Sequence, residues 1–151
     1  MTDKEATDEI DTLVLTAWDA GALAAIENDT LGTLEWQGRT SEEKPDGFWA
    51  RVTQQIVSQA QRSLADENTF GANQKRYETH GVVTVQVFGP SRSKNAFRKG
   101  DALASLLRDA FRTAGQTGNV WYSNARKRYL TMDGAELRWN VVAEFSYDTI
   151  V

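Results

Sequence analysis

The run Glu136-Leu137-Arg138-Trp139-Asn140-Val141-Val142-Ala143-Glu144-Phe145-Ser146-Tyr147 alternates from end to end. Leu137, Trp139, Val141, Ala143, Phe145 and Tyr147 fall on one side. Glu136, Arg138, Asn140, Val142, Glu144 and Ser146 fall on the other. A period of two is what a β-strand imposes on its side chains. One side of this strand packs and the other is largely polar, so the sheet it belongs to is covered on one face.

Upstream, Asp133-Gly134 supplies the turn into this strand, and Val120 to Ala125 reads as a preceding strand, followed by the basic run Arg126-Lys127-Arg128. Before that, Ala96, Gly100, Leu103, Ala104, Leu107, Ala110 and Phe111 share one helical face. They predict a helix from about Asn95 to Thr113, stopped by Gly115 and Gly118. His80 to Phe88 is a second clear strand, with Val83, Val85 and Val87 on one face and Thr84 and Gln86 on the other, ended by Gly89-Pro90. From Phe48, the residues Phe48, Ala50, Val52 and Ile56 alternate with Trp49, Arg51, Thr53 and Gln55, again at strand spacing. The polar, glutamine-rich segment from Ser58 to Arg76 shows no strong period and reads as a loop with room for strand extensions. Leu34-Glu35-Trp36-Gln37 is a short strand candidate, separated from Phe48 by the charged loop Gly38 to Gly47 with Pro45. At the start, Ile10, Leu13, Val14, Ala17, Trp18 and Gly21 fit the template of an amphipathic helix from about Thr7 to Ile26.

The order helix, three strands, helix, two strands predicts an α+β fold, in which a mostly antiparallel sheet of four to five strands packs against two helices. Residues 1–151 make one domain, since 151 residues hold a single real core and hardly two. Hydrophobic residues are 40% and charged residues 25% of the chain, far from the signature of disorder. No apolar run approaches the roughly 20 residues that span a bilayer, and the acidic N-terminus lacks the pattern of a secretory signal. The chain is expected to be soluble and to stay where it is made. The absence of cysteine excludes thiol catalysis, disulfides and thiolate metal sites.

Net charge is −4, which argues against wrapping nucleic acid as a main task. Its distribution is uneven. Residues 1–74 hold 5 basic and 14 acidic side chains, or −9, and residues 75–151 hold 12 and 7, or +5. Opposed halves suit either a nucleic-acid surface or complementary faces for self-association.

Enzyme motifs are missing: there is no phosphate-cradling loop, dinucleotide fingerprint, HExxH or nucleophile elbow. His80 is the single histidine, so a multi-histidine metal site is unavailable, and at a strand mouth it reads as a hydrogen-bonding residue. Glu42, Glu43 and Asp46 cluster beside Pro45, where an acidic surface loop is the default reading. The expectation is a protein that is not an enzyme, with no catalytic residue, cofactor or metal. Arg92, Lys94, Arg98 and Lys99 crowd the start of the second helix, where the helix dipole disfavours cations and an anionic partner would help. Solvated surface is the default reading of basic clusters. The functional one makes these residues, or Arg126, Lys127 and Arg128, contacts to a neighbouring subunit's acidic face or to passing DNA. Of five tryptophans, Trp18 and Trp139 lie on core faces, and Trp49 and Trp121 are the interface candidates.

From Leu34 onward the chain resembles the tail terminator and tail completion proteins of long-tailed bacteriophages. The resemblance rests on Leu34-Glu35-Trp36-Gln37, on Pro45 and Phe48-Trp49-Ala50-Arg51-Val52, on Arg76-Tyr77, and on His80 through Pro90. Gly100, Ala102, Leu106 and Phe111 in the helix and Trp139, Val141, Phe145 and Tyr147 in the last strand continue it. The matching residues are structural. They imply a virion protein at the neck end of the tail, assembled in the host cytoplasm, whose subunits form a homo-oligomeric ring, usually a hexamer. The ring caps the tail tube protein, faces the head-tail connector proteins, and has DNA only passing through its lumen, with no membrane. The longer N-terminal segment and the polar stretch from Ser58 to Asn73 depart from the short loops of that family. A connector or tail tube subunit is the alternative within the same biology. A small-ligand-binding domain, marked by a deep pocket against the sheet, and a DNA-binding module are the others.

Overall fold

The structure, a computed structural model, describes residues 1–38, 46–64, 75–114, 118–132 and 134–151, with the side chains of Ser63 and Leu64 excepted. Along the chain run α1 (Asp3–Ala25), β1 (Leu31–Trp36), β2 (Phe48–Leu64), β3 (Lys75–Pro90), α2 (Ala96–Thr113), β4 (Val120–Tyr129) and β5 (Glu136–Ile150). The fold is α+β, with two helices and a five-stranded sheet in the order β1-β2-β3-β5-β4. β1 runs parallel to β2, and every other neighbouring pair is antiparallel. Because β5 lies between β3 and β4, the passage β3, α2, β4 is a crossover between two parallel strands with a third inserted.

The alternation of β5 is realised in full. Leu137, Trp139, Val141, Ala143, Phe145 and Tyr147 are all buried in a single core with Val83, Val85 and Val87 of β3 and Phe48, Ala50 and Val52 of β2. Both helices close that face. α1 contributes Ala6, Ile10, Val14, Trp18 and Ala22, and α2 contributes Ala96, Leu103, Ala104, Leu107 and Phe111. At the N-terminus, Thr2 accepts the Glu5 N–H at 3.2 Å and Glu5 accepts the Thr2 N–H at 2.7 Å, a reciprocal cap that starts α1 four residues before the Thr7 predicted from apolar spacing. The Tyr147 hydroxyl donates to Asp3 at 2.8 Å and ties that first turn to β5. Burial and the Asp3 carboxylate push the Tyr147 phenol up to about 12.

Two predicted boundaries are corrected. The segment from Ser58 is strand through Leu64, and strand resumes at Lys75; its middle, residues 65–74, lies outside the described residues. Past Gln54 the β2 strand leaves the helical layer, and Ile56, placed on the core face by alternation, is 48% exposed. With neither face buried there is no apolar period to read. The Arg126-Lys127-Arg128 run belongs to β4 rather than following it. A bulge between Ser123 and Arg126, with Asn124 at φ 53°, shifts the register and interrupts the alternation.

Candidate functional site

With both helices on one face, the sheet leaves the other face and both edges to be accounted for. The face away from the helices carries Arg51, Thr53 and Gln55, then Gln86 and Thr84, then Asn140, Val142, Glu144 and Ser146, then Trp121, Ser123, Arg126 and Arg128, as the pairing registers require. Its charges are partly paired: Arg51 meets Glu35 at 3.2 Å, and Asn124 at the β4 bulge donates to Glu144.

The two edges differ. β1 covers β2 only from Phe48 to Val52, and the Gln37 side chain caps the Gln54 N–H at 2.9 Å. Beyond it, no described strand lies on the outer side of the β2 overhang, where Val57 is 66% exposed. α1 flanks this edge. Gln54 donates to Asp11 at 2.8 Å and to the Thr7 carbonyl at 3.4 Å, and Asp8 stands one turn earlier on the same side, paired with Lys4 at 2.6 Å. Burial raises the Asp11 carboxyl above the usual range against the opposing hydrogen bond from Gln54. The opposite edge, β4, has no described strand on its outer side. Arg126 and Arg128 are exposed there, as is Trp121.

The predicted interface residues are not all surface residues. Trp49 is buried, stacked on Phe88 with ring centroids 4.1 Å apart and the Arg51 guanidinium 5.5 Å from its own. The alternation correctly set it opposite Phe48 and Val52, but that corner of the polar face is itself covered, so Trp49 is core in the isolated subunit. Lys127 turns toward the helices and donates to Asp101 at 2.8 Å and Ser105 at 2.7 Å. Lys99 and Arg98 are held by the turn after α1: Lys99 reaches Asp29 at 3.1 Å and Arg98 reaches Glu27 at 2.7 Å. The Ser93 hydroxyl, the Thr30 N–H and Lys99 together hold the Asp29 carboxyl down at about 2. The anionic partner that the crowded helix start called for is thus supplied in part by the chain's own first half. Arg92 and Lys94 stay exposed. The grouping that sequence reading missed is the edge itself, since the exposed Ile56 and Val57 and the α1 carboxylates come together only through sheet order.

Among the described residues, Asp46 and His80 share no site. His80 pairs across the sheet with Ser58 and reaches Glu78 at 2.8 Å, whereas Asp46 is exposed just before β2, roughly 30 Å away along the strand. Glu42 and Glu43 lie outside the described residues. The depression beside His80, about 430 Å³, is lined by Val57, Gly81, Ser123, Glu144 and Ser146 among others and opens to solvent. Another of about 550 Å³ lies between the end of α2 and β4, lined by Arg112 and Tyr122, whose phenol is raised by burial and by the nearby Glu9 and Asp11 carboxylates. No cluster of three or more metal-ligating side chains occurs among the described residues, and no described helix is long and apolar enough to cross a membrane.

No family model matches the chain, and no curated protein matches it. Two solved structures align with it, and the first shares its fold. One, which carries no functional description, aligns at a TM-score of 0.50 with 18% identity over 91% of this chain and 94% of its own. A chain from the virion of a native gene transfer agent particle aligns at a TM-score of 0.43 with 14% identity, over 90% of this chain and 92% of its own.

Proposed function

We propose that the protein is a structural, non-enzymatic virion subunit that assembles into a closed ring ending a phage tail tube, in the manner of the tail terminators its sequence resembles. The observation that carries this reading is a sheet helix-covered on one face and, among the described residues, open at both edges, with Arg126 and Arg128 exposed on one and Ile56 and Val57 on the other. A subunit with two different sticky sides meets its neighbours heterologously, and a heterologous contact whose rotation closes makes a ring. The ring is expected to be hexameric, with the tail tube protein on one side and the head-tail connector proteins on the other, and with DNA passing through its lumen. Arg92, Lys94, Arg126, Arg128 and Trp121 are the candidates for its joints, Arg98 being exposed but paired with Glu27. The surface depressions are open to solvent rather than enclosed, which does not favour the small-ligand alternative.

Negative-stain microscopy of the concentrated protein tests this reading. Discs of one diameter are expected. Long tubes favour the tube-subunit reading, and single particles at every concentration overturn both.

A further inference from the structure

We propose that β4 of one subunit adds to the overhanging part of β2, from Thr53 to Leu64, of the next subunit, so that the sheet continues across each joint. This rests on the ring reading and names its contact. From Gln55 to Gln61 the β2 overhang holds no charged residue, and both Ile56 and Val57 are exposed, so past the Gln37 cap on Gln54 no described side chain guards its backbone edge. β4 spans 10 residues and the overhang 12, so one strand can lie along the other over most of its length.

Charge selects which edges meet. Asp11 meets Gln54 at the start of the β2 overhang, Arg126 and Arg128 stand on β4, and like charges across a strand pair are unfavourable. Two β4 edges would set Arg126 and Arg128 against their own copies, whereas the β2 overhang carries no cation before Arg62, which is itself paired with Glu78. β4 against β2 avoids that repulsion. The apolar groups agree, since Trp121 at 45% exposure on β4 finds Ile56 and Val57 to cover. Main-chain hydrogen bonds then hold the joint, and side chains set its register.

The chain has no cysteine, so introduced thiols report the joint cleanly. Full-length Val57→Cys and Ser123→Cys proteins, each checked for an unchanged melting curve, are mixed at high concentration with a short bismaleimide. Cross-linked Val57–Ser123 heterodimers are expected at roughly ten times the yield of a Val57→Cys and Ala24→Cys control. Yields equal to the control, or efficient dimers from Val57→Cys alone, overturn the joint. Discs without the cross-link leave the ring standing and remove this contact. The cross-link with open chains in place of discs keeps the contact and removes the ring.

Discussion

Gly100 sits where α2 crosses β5, and a Cβ there would run into the six-membered ring of the fully buried Trp139 indole. Glycine inside a helix costs stability, and here the close approach of helix to sheet requires it. Gly100→Ala is expected to lower stability by about 1–3 kcal/mol, read as a drop in melting temperature, because a rigid core ring cannot yield. Val141, at the centre of the same face and 0% exposed, tests the core more severely. Val141→Asp buries an unpaired carboxylate and should unfold or aggregate the protein, so a soluble variant with the parent's melting temperature would refute the packing. The core position of both residues was legible from spacing alone, but the contact between Gly100 and Trp139 was not, since it depends on how helix and strand cross. Asp29 gave no sequence signal either. Its depressed carboxyl contributes stability that is complete above the ordinary carboxylate pKa near 4 and is lost as pH falls toward about 2. Asp29→Asn should therefore flatten the fall in melting temperature between pH 4 and 2. An unchanged slope would show that the Ser93 and Lys99 contacts do not hold the turn.

Elements with one buried face announced themselves, and elements without one did not. β3 and β5 alternate because the helices lie over them, and α2 shows its face for the same reason. The far half of β2 is exposed and glutamine-rich, so its extended backbone is fixed by pairing with β3 and leaves no trace in hydrophobic order. The first turn of α1 was missed because its start is set by the Thr2 and Glu5 cap rather than by apolar spacing. Thr2→Ala is expected to cost about 1 kcal/mol. The effect should appear as faster amide exchange in the first turn of α1, with the β5 amides unchanged.

The charge asymmetry between the halves of the chain, plain in the sequence, resolves in the folded molecule into two uses. Part is consumed internally, where Lys99, Arg98 and Lys127 bind Asp29, Glu27 and Asp101. The remainder marks the two edges, and only strand order could show which cations remain outside. Arg126→Glu with Arg128→Glu should leave the monomer's melting temperature within about a degree while weakening assembly roughly tenfold, since exposed charges add little to a fold but govern register and encounter at a joint. Lys127 is left unchanged in that variant because its partners are within the same subunit. The ring itself is tested most directly by native mass spectrometry of the unmodified chain over a wide concentration range. One closed oligomer is predicted, six subunits in mass, growing at the expense of monomer with no larger species beyond it. A monomer that persists to the highest concentration, or an unending series of multimers, would contradict the account.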